Sequence, residues 1–288
     1  AREIVLTGER ADLLNRAIVL VIPIFNVDGH ERFGPYNRIN QNGPREMGWR
    51  TTAANLNLNR DYVKADAVEM QAWLRLWTAW QPDLFIDTHT TDGHDHGYDV
   101  FYAVTDGPDV AAPVAAWTRD VLLPGIMPAL DAAGLPTLPY SSPRDPKDPS
   151  QGISATTPMS PRLSNGYAAV CNRPAILVET HSLKPYGRRV HATHDLLALA
   201  LQTVNQHADD LRTAVRTADD EAVRLRGATQ DDRVPLRFEP TDAGRPIVFK
   251  AVEQRLHASE ISGSEIIEYL PAPRDVETKL YDQTRSTL

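Results

Sequence analysis

The stretch Leu84-Phe85-Ile86-Asp87-Thr88-His89-Thr90-Thr91-Asp92-Gly93 constrains this chain most. An apolar run after Pro82 ends in a cluster of polar groups closed by a glycine. A buried strand of a parallel sheet reads this way, and such strands deliver side chains to the carboxyl edge where α/β proteins place ligands. With a period of two, Asp87 and His89 share one face. A histidine with a carboxylate two residues back is suited to bind a metal or move a proton. The competing reading is a buried histidine hydrogen-bonded at a strand end, and this stretch alone does not choose.

The run Ala17-Ile18-Val19-Leu20-Val21-Ile22-Pro23-Ile24-Phe25 is the strongest buried-strand signal and breaks at the turn Asn26-Val27-Asp28-Gly29. From His30 to Asp61 periodicity is lost. A loop of that length inside a compact domain is usually functional. It carries Arg32, Arg38, Arg45, Arg50 and Arg60 in a chain of net charge -8, which points to an anionic group in the substrate. Arg32 and Arg45 read as surface residues. The same net charge gives no basic footprint for nucleic acid.

Lys64 to Trp80 reads as an amphipathic helix, with Ala67, Met70, Leu74 and Trp77 at helical spacing. Tyr98 to Val104 suits a strand, and Val110 to Ala133 a helix bent at Pro124 and Pro128. Leu135 to Asn165 reads as a lid or specificity loop. Tyr167 to Val170 and Ala175 to Glu179 read as strands separated by a turn at Asn172-Arg173-Pro174. A helix is expected from about His191 to about Arg226, and short strands around Val234–Phe238 and Pro246–Lys250 suggest a small β appendage. A 42% apolar share supports one large α/β domain with that appendage, divided here as 1–228 and 229–288. The single cysteine, Cys171, excludes an intrachain disulfide framework and a thiolate metal cluster, and no apolar run is long enough for a membrane helix.

Glu179 emerges from a buried apolar run, where a lone carboxylate is costly. A neighbouring cation would retain it, or a raised pKa would suit it to general-base work. The pairs His94/His96 and His191/His194 have ligand-like spacing, but loop and solvent-exposed readings are preferred for them.

Four pieces then fall in order: Asn26-Val27-Asp28-Gly29, Trp49-Arg50, Asn57-Leu58-Asn59-Arg60, and the strand-end groups His89 and Glu179. From Ala11 to His194 the chain resembles the zinc carboxypeptidase family. The resemblance implies a three-layer helix/mixed β-sheet/helix fold with one Zn2+ at the sheet edge. It implies His89 as a zinc ligand, Glu179 as the residue that activates the zinc-bound water, and Arg50 as the oxyanion stabiliser. Asn59 and Arg60 would grip the substrate's terminal carboxylate. Tyr140 and Tyr167 are candidates for a substrate-capping tyrosine, and Tyr167 is grouped with the substrate-binding residues. Asn57 stands where many relatives carry an aspartate.

The family's His-x-x-Glu pair has no counterpart before the first strand. Glu3 is not that glutamate, since the crossover it opens needs a dozen or more residues and only a short piece remains before Gly8. Two of three zinc ligands are therefore expected upstream of Ala1, and the chain by itself is expected to be inactive. The implied reaction is hydrolysis of a C-terminal peptide bond. N-acyl amino acid hydrolysis and carboxylate binding without chemistry are the alternatives. The expected partner is a peptide or acyl-amino acid with a free carboxylate. The resemblance favours a periplasmic or secreted protein.

Overall fold

The structure is a computed structural model that describes residues 2–156, 159–225 and 237–287. In chain order the elements are α1 (Val27–Glu31), α2 (Val68–Trp80), β1 (Phe85–Thr90), β2 (Val100–Val104), α3 (Ala112–Trp117), α4 (Leu123–Ala132), β3 (Thr137–Pro139), β4 (Ser141–Pro143), β5 (Ile153–Ala155), α5 (Ser164–Val170), β6 (Ala175–Thr180), α6 (Tyr186–Gln206), α7 (Ala208–Leu225), β7 (Arg237–Pro240), β8 (Arg245–Ala258), β9 (Glu265–Tyr281) and β10 (Thr284–Thr287). The fold is mixed α/β.

The central sheet has the order β1-β6-β2-β3. β1 and β6 are parallel, β2 runs antiparallel to β6, and β3 parallel to β2. β6 is buried along its whole length, which explains its uninterrupted Ala175-Ile176-Leu177-Val178 run. Apolar residues of β1 go to two clusters. Phe85 joins Met70 and Trp73 of α2, whereas Ile86 packs with Ile176 and Val178 against Ile126, Leu130 and Leu196 of α4 and α6. The segment between α3 and α4, Thr118–Leu122, is a wide helical turn. It lies just before Pro124, where the expected bend falls.

A second sheet has the order β4-β5-β9-β8. The long C-terminal strands β8 and β9 thus share a sheet with strands from the middle of the chain. A third apolar cluster ties them to the central sheet, with Ile153, Phe249, Val276 and Leu280 against Phe101 and Leu138. Where a lid was expected, residues 137–155 supply three short strands. The expected helix end near Arg226, the Val234–Leu236 segment and the 228/229 boundary lie outside the described residues. No helix among the described residues is long and apolar enough to cross a membrane.

Three expectations are corrected. The run 17–25 is not a strand: it pairs with no strand among the described residues, and Ile18 is 80% exposed. Strand formation is a pairing property, and β-branched composition does not supply a partner. Tyr167 to Val170 is helical, because it forms α5, whose Gly166 packs closely on the backbone carbonyls of Met159 and Ser160. The long C-terminal helix begins earlier, at Tyr186, and breaks at His207 into α6 and α7.

Leu196 is fully buried, so Leu196→Ala is expected to cost about 2–5 kcal/mol of unfolding free energy in urea titration. Ile18→Ser is expected to change it by less than about 0.5 kcal/mol. A loss of several kcal/mol at Ile18 would mean that the run is buried after all.

Candidate functional site

β1 and β6 bring His89 and Glu179 together. The two residues are direct partners in the parallel register, one step before both strands end at Thr90 and Thr180. His89 Nε2 lies 2.7 Å from Asp87 Oδ2, as the period-two reading requires. The two strands are held at their ends by Thr91 N–H donating to Thr180 O at 2.9 Å and Ser182 N–H donating to Thr91 Oγ1 at 2.9 Å.

Glu179 is buried, and its Oε2 has no hydrogen-bond partner among the described residues. Burial pushes its carboxyl up to about 7, with His89 pulling it down and Asp87 and Asp92 pushing it further up. Burial also pushes the Asp87 carboxyl up, but the hydrogen bond and charge of His89 outweigh it and the net shift is downward. For His89, burial works against the charged form, yet Asp87 and then Glu179 raise it overall. Adjacent strands therefore carry a low carboxylate, a basic imidazole and a carboxyl that titrates near neutrality. Such separation of titratable groups is the pattern of acid–base sites.

The arginines arrive on the long loop. The Asn26 side chain accepts from Gly29 N–H at 3.0 Å, capping α1, and its Nδ2 donates to Arg50 O at 3.1 Å. Trp49 N–H donates to Gly29 O at 2.6 Å. A Cβ on Gly29 would stand 2.3 Å from Trp49 O, so only glycine permits this approach. Asp28 accepts from Ala53 N–H at 2.9 Å. The first motif is thus a bracket for the second.

The loop is also pinned to the strand ends. Asn40 Nδ2 donates to Asp92 O at 2.8 Å, and Asn42 N–H to Ser182 O at 2.8 Å. Arg189 of α6 donates to Asn42 O at 2.8 Å. In the third motif Asn57 Oδ1 accepts from Asn59 N–H at 3.1 Å, while Leu58 anchors the turn in the cluster with Met70 and Trp73.

Arg50 acts electrostatically on both His89 and Glu179. The Arg60 guanidinium is lowered by burial, then by Arg50 and Arg162, while Tyr140 and Glu179 support its charge. Arg38 is likewise lowered by burial and by Arg50. Guanidiniums that repel one another near a buried carboxyl leave a field suited to an anion. Arg162 was missed from sequence, because its neighbourhood comes from the fold alone.

The tyrosines separate. Tyr167 is packed in an aromatic cluster with Tyr62, Trp73 and Trp77, at ring distances of 6.0, 5.6 and 5.6 Å. Burial pushes the Tyr140 phenol up to about 12, with Glu179 and Asp92 adding to the shift and Arg60 opposing it. Tyr140 is therefore the tyrosine within the field of Glu179 and Arg60.

The other histidines do different work. His194 pairs with Glu3 at 3.1 Å and Asp195 at 2.8 Å. His94 Nδ1 is 3.0 Å from Tyr269 Oη, and His96 Nδ1 accepts from Tyr98 N–H at 3.2 Å. Among the described residues no group of three His, Cys, Asp or Glu side chains is placed to hold a metal ion.

No protein-family model and no curated protein matches the chain. A solved structure that resembles it is the putative carboxypeptidase A from Shewanella denitrificans OS-217. That likeness has 18% identity and a TM-score of 0.40, and covers 56% of this chain. The chain spans 42% of the length of that structure.

The raised Glu179 fixes a sign for pH dependence. Between 4.5 and about 7 the folded state keeps a proton that the unfolded state releases, so this contribution to stability falls as pH rises through about 7. Glu179→Gln removes it. With chelator present, the variant should gain roughly 3 kcal/mol on the parent between pH 4 and pH 8 in urea denaturation. A constant difference across that range would place Glu179 in water rather than in the sheet.

Proposed function

We propose that the carboxyl ends of β1 and β6 form a hydrolytic site of the metallocarboxypeptidase kind, cleaving the C-terminal amide bond of a peptide. The observation that carries this reading is the in-register pairing of His89 with Glu179, under Arg50, whose charge reaches both. The reading brings with it the helix/sheet/helix layering implied by the sequence resemblance.

Each chain residue has a chemical task. Glu179, with a pKa near 7, takes a proton from the attacking water and returns it to the leaving nitrogen as the C–N bond breaks. Arg50 steadies the oxygen on which negative charge develops. Arg60 and Asn59 hold the terminal carboxylate, for which a guanidinium offers two parallel donors. Tyr140, rather than Tyr167, covers the substrate. Asp87 fixes the His89 ring through the 2.7 Å bond.

The zinc ion implied by the resemblance would find one donor here, His89. The described residues do not by themselves complete a zinc site, since no three-donor group gathers among them. The arginine charges beside Glu179 also support a second reading, in which the site binds a carboxylate without cleaving anything.

The test uses an N-blocked dipeptide with a free C-terminus and its C-terminal amide, with zinc supplied. Where a His-x-x-Glu pair completes the zinc site, hydrolysis of the free acid is expected, with Glu179→Gln lowering kcat by about 10²-fold or more. Arg60→Ala is expected to raise KM for the acid by about tenfold and to leave the amide nearly unchanged. Carboxylate-selective binding without turnover would establish the second reading. Full activity in Glu179→Gln, or equal losses on acid and amide in Arg60→Ala, would overturn the assignment.

A further inference from the structure

A cavity of about 430 Å³ opens between the central sheet and the β8–β9 hairpin, away from Glu179 and the arginines. Its lining carries both signs of charge: Lys184 and Lys250, Asp95 and Asp275. Pro271, Pro273 and Val252 add an apolar wall. The volume is that of a small-ligand site.

Two of those charges are without a side-chain partner. Lys250 and Asp275 face each other in the antiparallel register of β8 and β9, so their side chains share a face. Even so, neither forms an ion pair or side-chain hydrogen bond among the described residues. The other two are engaged: Lys184 Nζ is 3.2 Å from Asp99, and Asp95 Oδ1 is 3.0 Å from His181 Nε2.

His96 also lines the cavity, as a buried ring. Its ring stacks on Phe101 at 4.1 Å and is 2% exposed. Nδ1 accepts from Tyr98 N–H, so the neutral ring carries its proton on Nε2, and Nε2 has no partner among the described residues. Burial, followed by the charges of His181, His94 and Lys184, lowers His96 well below its usual value and keeps it neutral.

We infer that this cavity between His96 and the Lys250/Asp275 pair binds a free α-amino acid. The ligand's carboxylate meets Lys250. Its ammonium meets Asp275, and an apolar side chain lies against the prolines and Val252. A lining with two cations and two anions matches a zwitterion and gives no net field to a dianion or a diamine. This site stands independently of the hydrolytic reading, because none of the proposed catalytic residues lines it.

The test is a ¹H–¹⁵N titration with L-valine, N-acetyl-L-valine and L-valinamide. L-valine should shift the amides of Gly97 and residues 250–252. Each blocked compound should bind about tenfold more weakly. Lys250→Met and Asp275→Asn, both at exposed positions, should each weaken L-valine to a similar degree. Glu179→Gln and Arg60→Ala should leave it unchanged. The proposal is overturned if no shifts appear at millimolar L-valine, if the blocked compounds bind equally well, or if the shifts follow Glu179 and Arg60 instead.

Discussion

Parallel pairing of β1 with β6 is the constraint on which the rest of the structure depends. A parallel ladder fixes which residues stand side by side, and a shift of one position would turn every side chain to the opposite face. The apolar residues on both strands prevent that shift, since Phe85 and Ile86 must reach clusters on different sides of the sheet. The same register sets His89 beside Glu179 at the point where both strands run out. Core packing thereby decides the chemistry at the edge, and no residue at that edge has to specify the alignment.

The second requirement is that cations reach this edge without being driven off by one another. Arg38, Arg50 and Arg60 come from a loop with little regular structure, and their mutual repulsion is visible in the lowering of Arg38 and Arg60. Backbone and amide hydrogen bonds hold the loop in place. Asn26 and Gly29 bracket Trp49 and Arg50, and Asn40 and Asn42 clip the loop to the strand ends. A short motif such as Asn-Val-Asp-Gly is therefore structural in its effect, although the purpose it serves is electrostatic.

Buried charge elsewhere is handled differently. Asp99 is nearly inaccessible and is closed by a two-bond contact from Arg188, at 2.5 and 2.8 Å, with Lys184 alongside. Glu179 has no such closure. Its Oε2 has no partner among the described residues, and burial raises its carboxyl to about 7, where proton transfer is easy. The contrast between a satisfied and an unsatisfied buried carboxylate separates a structural ion pair from a candidate base within one molecule.

Part of the candidate site was legible in the sequence, because polar groups that end a buried apolar run stand at a sheet edge, where α/β proteins place ligands. His89 and Glu179 were read on that basis, and the order of the Asn-rich and Arg-bearing motifs came from the resemblance to zinc carboxypeptidases. The run 17–25 misled because its β-branched composition describes what a strand prefers, whereas a strand exists only where a neighbour offers its backbone. Tyr167 misled for a related reason, since four residues cannot distinguish strand from helix without their packing partners.

The sequence by itself determined which residues had the chemistry: a histidine with its carboxylate, a glutamate in an apolar run, and arginines on a loop. Tertiary structure alone decided which of them meet, that Tyr140 and Arg162 join them, and that Tyr167 does not. The reason is physical. Side-chain chemistry and local periodicity are carried by neighbours along the chain, but register, burial and the electric field at a site are set by groups distant in sequence and close in space.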